Sequence, residues 1–210
     1  VVMARADLLS MKLPPDNERA VTDIEAIKKG AVDLNRMVNS LIDYADKIQS
    51  ETSTERTIAS ISSIVNNAVD QQAEDHPDSE ISIGHVDEGS IYCDEHFTTR
   101  AVWELLDNAS RYGSESAPIL VRTERSNGSI RFEVEDSGRD LSDEDGADLF
   151  KPFERGRSMG AAGKRGLGLG LSFVHTIAEL HGGRVFFEKA EDGHSVFGFT
   201  IPEGLDSALL

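Results

Sequence analysis

"GKRGLGLGLSFVHTIAELHGG", residues 163–183, runs from a glycine-rich loop into a helical pattern and leaves it at a glycine pair. Glycines 163, 166, 168 and 170 each cost chain entropy on folding. Backbone this bare at a helix entrance lets a ligand come close, and helix N-termini attract phosphates. Gly166, Gly168 and Gly170 therefore read as a phosphate cradle, with a plain hinge as the alternative. The stretch is not a P-loop, because Gly163-Lys164 is followed by Arg165 and position 158 is Ser158. It is not a dinucleotide fingerprint either, since Leu171 stands where that pattern closes and no strand leads directly in.

Working outward, both flanks carry hairpin signals. "ILVRTERSNGSIRFEVED" (119–136) alternates apolar and polar residues about Asn127-Gly128, and "RVFFEKAEDGHSVFGFTI" (184–201) does so about Asp192-Gly193. Helices are predicted from about Glu95 to Tyr112 and near Ile61 to Gln72, with a short strand in "ISIGHV" (81–86). Antiparallel hairpins mixed with helices predict an α+β two-layer sandwich. Lys151, Arg155, Arg157, Lys164 and Arg165 gather around the glycines, forming a patch suited to a polyanion. The small residues of 156–165 predict a lid.

The first fifty residues differ. Ile24, Ile27, Ala31, Leu34, Val38, Leu41, Ala45 and Ile48 recur in steps of three and four, as do Val2, Ala6, Leu9 and Leu13 before "PPDN" (14–17). This predicts a helical hairpin over 1–52 with an open apolar seam, which a second copy would cover as a dimeric four-helix bundle. Packing of the seam against the rest of the chain is the alternative. Residues 53–56 read as a linker and 57–205 as a second domain. The chain opens inside a helical pattern without an initiator methionine, which we read as a fragment of a longer protein.

Composition narrows the function. A formal charge of −17, from 38 acidic and 21 basic residues among 210, argues against nucleic acid or an anionic membrane as partner. The single cysteine, Cys93, allows no intrachain disulfide and fits a reducing cytoplasm. No apolar run reaches the ~18 residues of a membrane span.

Two further stretches carry chemistry. In "VWELLDNASRY" (102–112) the helical period puts Val102, Leu105, Leu106 and Ala109 on one face and Glu104, Asn108 and Arg111 on the other. That second face offers a proton acceptor, an amide oxygen for Mg²⁺ and a guanidinium for phosphate, or is an ordinary solvated stripe. Asp136, at a strand end before Ser137-Gly138, could accept a hydrogen bond from an exocyclic amine such as adenine's, or close an Asx turn.

Taken in order, "WELLDNASRY", "EDSG", "LFKPFERG" and "GLGLGLSFVHTIAELHGG" resemble the N, G1, F and G2 boxes of sensor histidine kinases, behind a hairpin similar to the later part of their dimerisation and phosphotransfer domain. The resemblance implies a Bergerat-type ATP-binding fold and an ATP-dependent protein-histidine kinase with ATP and Mg²⁺ as ligands. It implies a homodimer, a response-regulator receiver domain as partner, and a cytoplasmic catalytic part whose full-length form can be anchored upstream. By position Asn108 would hold Mg²⁺ and Glu104 would help activate the phosphoacceptor. Arg111, where the family usually has Lys, would meet phosphate, and Tyr112 would lie near the nucleotide. Asp136 would read adenine, Gly138 would be the first glycine of the G1 box, and Phe150 and Phe153 would clamp the lid. Arg155 would reach the γ-phosphate, Lys164 would offset phosphate charge, and Gly166, Leu167, Gly168, Leu169 and Gly170 would carry the phosphate loop.

Three departures stand out. "DSGRD" (136–140) has Asp140 where the G1 box usually has a second glycine, adding negative charge near a polyphosphate. All six histidines, 76, 85, 96, 175, 181 and 194, lie beyond the hairpin, so the 210 residues are expected not to autophosphorylate at the family's usual place. His181 in "ELHGG" is read as a structural residue before the turn. The alternative to a kinase core is a non-catalytic dimeric scaffold that regulates a kinase or response regulator, which Asp140 favours and intact Glu104, Asn108 and the G2 glycines oppose.

Overall fold

The computed structural model describes residues 5–6, 8–9, 20–24, 27–28, 31, 56–114, 117–137, 141, 146, 148–152, 168–190 and 193–203. They fall into two units that divide near residue 50. In the first, every described position is helical, in keeping with the stepping of the apolar residues. Ala6 and Ile24 of the predicted seam are buried, whereas Leu9 and Ile27 are 51% and 50% exposed.

The second unit is α+β. In chain order it contains β1 (Thr57–Ser60), α1 (Ile61–Asp75), β2 (Ile81–Ile83), β3 (Ser90–Cys93), α2 (Glu95–Tyr112), β4 (Ile119–Ser126), β5 (Ser129–Asp136), α3 (Gly170–Leu180), β6 (Arg184–Lys189) and β7 (Ser195–Pro202). A five-stranded sheet runs β2-β4-β5-β7-β6, and β1 pairs with β3 in a separate ribbon. β2 lies parallel to β4, while the other neighbours in the large sheet are antiparallel.

Both predicted hairpins form. Asn127 (φ 54°) and Gly128 (φ 71°) take the left-handed conformations of a tight two-residue turn, and Gly193 (φ 87°) is left-handed in the longer loop of the second hairpin. Alternation then sorts the side chains. Ile130, Phe132 and Val134 of β5 and Phe197, Phe199 and Ile201 of β7 enter the core, where the Phe132 and Phe199 rings stack at 5.0 Å. The helices cover this face with Ile61, Ile64, Val65, Ala101, Trp103, Leu105, Leu106, Val174 and Ile177.

Caps fix where the helices begin and end. Ser60 Oγ accepts from Ser63 N–H at 3.3 Å before α1, and Asp94 Oδ1 accepts from Phe97 N–H at 3.1 Å before α2. Gly182 (φ 74°) ends α3 in the left-handed cap that the glycine pair foretells.

Four expectations need correction. The helix predicted to Gln72 continues to Asp75, because His76 caps it by donating its backbone N–H to Gln72 O at 2.8 Å. The strand expected over 81–86 stops at Ile83; Gly84 and His85 remain tied to β4 by single hydrogen bonds. The β1–β3 ribbon is absent from the expectation, since four residues give too short an alternation to stand out. Glu104, expected on the outward stripe of α2, is buried because α3 begins directly over it.

Candidate functional site at the α2, β5 and α3 ends

The site is built around α2. Arg100 donates from Nε (3.0 Å) and Nη2 (2.7 Å) to Glu104 Oε1, one turn along the helix. The guanidinium lies over the Trp103 ring at 4.0 Å, which fixes its plane. Oε2 of Glu104 faces Gly170, where a β-carbon would fall 2.5 Å from it. Burial pushes the Glu104 carboxyl above its ordinary value of 4.5, against the pull of Arg100. A carboxylate with raised proton affinity, held by a guanidinium at one oxygen, is equipped to accept a proton.

One turn further, Asn108 Nδ2 is buried and finds no hydrogen-bond partner among the described residues. A buried amide N–H left in this state marks a place for a hydrogen-bond acceptor such as a ligand oxygen or a water. Asp107 and Arg111 pair at 2.6 Å, which ties the Nε edge of the Arg111 guanidinium to a carboxylate of its own helix.

The C-terminal end of α2 meets the end of β5. Ser114 donates its N–H to Ser137 O at 2.5 Å, and a β-carbon on Gly113 would stand 3.3 Å from Asp136 Cβ. Asp136 is 2% exposed and pairs in register with the buried Ser195 of β7. Ser137 Oγ is buried and without a hydrogen-bond partner among the described residues. The two sequence stretches, 25 positions apart between Arg111 and Asp136, thus share one corner of the fold.

The third wall is the glycine stretch. Gly168 has φ 71°, a conformation open to glycine at no cost, and the chain turns from it through buried Leu169 into α3. Leu169 O accepts from Phe173 N–H and from Ser172 Oγ, both at 2.9 Å. Phe150 is buried and tilts against Phe197 at 6.2 Å, which anchors its own segment to the core. Tyr112 is half-buried in the last turn of α2.

Glu104, Asn108, Arg111 and Tyr112 thus lie along α2, with Asp136 against its C-terminal end and Gly168, Leu169 and Gly170 leading into α3 over Glu104. Gly138, Asp140, Phe153, Arg155, Lys164, Gly166 and Leu167 lie outside the described residues. His181 is used structurally: Nε2 accepts from Asp94 N–H at 3.0 Å and Nδ1 donates to Ile177 O at 2.8 Å. Both ring nitrogens are thus engaged in joining the end of α3 to the start of α2. Arg100, Asp107 and His76, which contacts Asp107, do not figure among the sequence candidates. The i, i+4 spacing of Arg100–Glu104 and Asp107–Arg111 is visible in the sequence, whereas the partnership of His76 arises only when α1 packs on α2.

A family model described as the histidine kinase-, DNA gyrase B- and HSP90-like ATPase matches residues 93–205, and the chain belongs to this family. It is 24% identical over 191 residues to the sensor protein KdpD of Clostridium acetobutylicum, covering 90% of this chain and 21% of that protein. Its fold superposes on the Acinetobacter baumannii histidine kinase AdeS with a TM-score of 0.68 at 18% identity, covering 97% of this chain and 94% of that one. For full-length ShkA, solved in complex with AMPPNP, the TM-score is 0.73 at 21% identity, covering 100% and 44%. The chain spans 21% to 25% of the length of the KdpD and DivL proteins it matches, which are named as sensor proteins. Among the described residues, no helix is long and apolar enough to cross a membrane.

Proposed function

We propose that this chain is the ATP-binding and dimerisation core of a two-component sensor histidine kinase. It would bind Mg·ATP and pass the γ-phosphoryl to a histidine outside these 210 residues, for relay to an aspartate of a response-regulator receiver domain. The observation that carries the reading is the junction of Glu104 with Gly170, which sets a buried proton acceptor against the glycine entrance of α3.

The described residues suit both ligands. Asp136 would take the exocyclic amine of adenine, Arg111 and the α3 entrance would meet phosphate, and Glu104 would draw the proton from the accepting imidazole. Asn108 would hold Mg²⁺ through its amide. Among the described residues, no group of three His, Cys, Asp or Glu could chelate a metal. An ion shared between one amide, phosphate oxygens and water matches the ordinary chemistry of Mg²⁺, which when bound would neutralise phosphate charge. Lys164 and Arg155 would add positive charge from the lid, and Phe153 would join Phe150 in clamping it. Leu9 and Ile27, exposed on the predicted seam, support a homodimer through the helical hairpin.

The second reading, a non-catalytic scaffold, is favoured by Asp140 in place of a G1-box glycine. Calorimetric titration with ATP, with and without Mg²⁺, separates the two. Metal-dependent binding supports the kinase core, and absence of binding at millimolar nucleotide overturns it.

A further inference from the structure

The last turn of α2 is wired to α1 by a polar network in which His76, Gln72 and Asp107 have no role in the function proposed above. His76, the C-cap of α1, places Nε2 2.9 Å from Asp107 Oδ1, and the other oxygen of that carboxylate accepts from Arg111 Nε at 2.6 Å. An ionised carboxylate only accepts, so His76 donates its Nε2–H and Asp107 is held from both sides. One turn back on α1, fully buried Gln72 donates from Nε2 to Ser110 Oγ at 2.8 Å. Gln72 and His76 are i, i+4 neighbours, so α1 lays two polar side chains on the turn of α2 that carries Arg111.

This arrangement is costly if its only purpose is to join two helices. Asp107 is 7% exposed, and Gln72 Oε1 is buried without a hydrogen-bond partner among the described residues. Apolar side chains of similar size would join the helices at no such cost. What the network gains is direction. Asp107 alone could follow Arg111 through several rotamers, since both sit on one helix. His76, on a different helix, fixes the carboxylate in space, and the carboxylate then fixes the Nε edge of the guanidinium plane.

We infer that His76 and Asp107 are positioning residues, which together hold the Arg111 guanidinium in the orientation that meets the polyphosphate of the nucleotide. The role rests on the nucleotide site proposed above. It makes α1, which lines no part of that site, a determinant of ATP affinity.

The test is a double-mutant cycle read by calorimetric titration of Mg·ATP into the whole chain. His76→Ala should weaken ATP binding roughly 3–10-fold, in the range of coupled contacts. His76→Gln, whose amide N–H can still donate to Asp107, should stay within about twofold of the wild type. In an Arg111→Ala background, His76→Ala should cost nothing further, because its effect passes through Arg111 alone. Asp107→Asn serves as the second variant if His76→Ala melts early, and it should weaken binding in the same way. Wild-type affinity in either His76→Ala or Asp107→Asn overturns the inference, and so do losses that multiply in the double variant. A wild-type chain that takes no ATP overturns the nucleotide reading together with this one.

Discussion

The α-carbon of Gly170 rests against the carboxylate of Glu104, so closely that a β-carbon would come within 2.5 Å of Oε2. Arg100 holds the other oxygen, and the buried side chain has little room to retreat. Gly170→Ala should therefore displace Glu104 and cost about 1–3 kcal/mol of stability, despite the better helix propensity of alanine. Combining it with Glu104→Ala should recover most of that loss. Thermal melts of the two single variants and the double check this, and simple additivity would refute the contact.

Glu104 also predicts a pH signature. Its carboxyl is raised above 4.5 in the folded chain, so the native state binds the proton more tightly than the unfolded state does. Stability from this group is then greatest below 4.5 and is lost as pH rises through the raised value. Glu104→Gln, uncharged throughout, should melt higher than the wild type at pH 8, with the advantage fading as pH approaches 4.5. Melting curves across that window decide it, and a constant difference at every pH would contradict the sign.

Asn108→Asp and Asp136→Asn should abolish the rise in melting temperature that Mg·ATP confers, while leaving the unliganded fold intact. Asn108 Nδ2 lacks a partner among the described residues, and Asp136 is the buried acid at the end of β5. Circular dichroism and nucleotide-dependent melting measure both halves. Unchanged ATP shifts in both variants would remove these residues from the site.

Leu9→Glu and Ile27→Glu should convert a dimer to a monomer, halving the mass seen by light scattering. Both side chains lie on the predicted seam and are about half exposed in the single chain. A charge there costs little in a monomer but must be desolvated in a bundle. An unaltered mass would exclude this face as the dimer contact.

His181→Ala should lower stability by about 2 kcal/mol, because it leaves the Asp94 N–H and the Ile177 carbonyl without their ring partners. ATP affinity should stay within twofold. Loss of phosphoryl acceptance without loss of stability would point to a chemical role instead.

The sequence by itself determined the two long hairpins, the three helices of the second unit and much of their punctuation, though not the short β1–β3 ribbon. Asn127-Gly128 can hardly be anything but a tight turn between alternating strands, and Asp94 and Gly182 mark helix ends through local hydrogen bonding and a left-handed backbone. It also singled out Glu104, Asn108, Asp136 and the glycines, because the four stretches that hold them resemble the boxes of one family in the same order. Tertiary structure alone decided which of these groups are buried and what each one touches. The helical period makes Glu104 polar-facing, and only the start of α3 over α2 turns that face into an interior with a raised carboxyl. The contact of His76 with Asp107 spans 31 positions, and no periodicity relates residues so far apart. Local propensity acts over a few residues, whereas burial and long-range pairing are set by the packing of whole elements, and the candidate site is made of the latter.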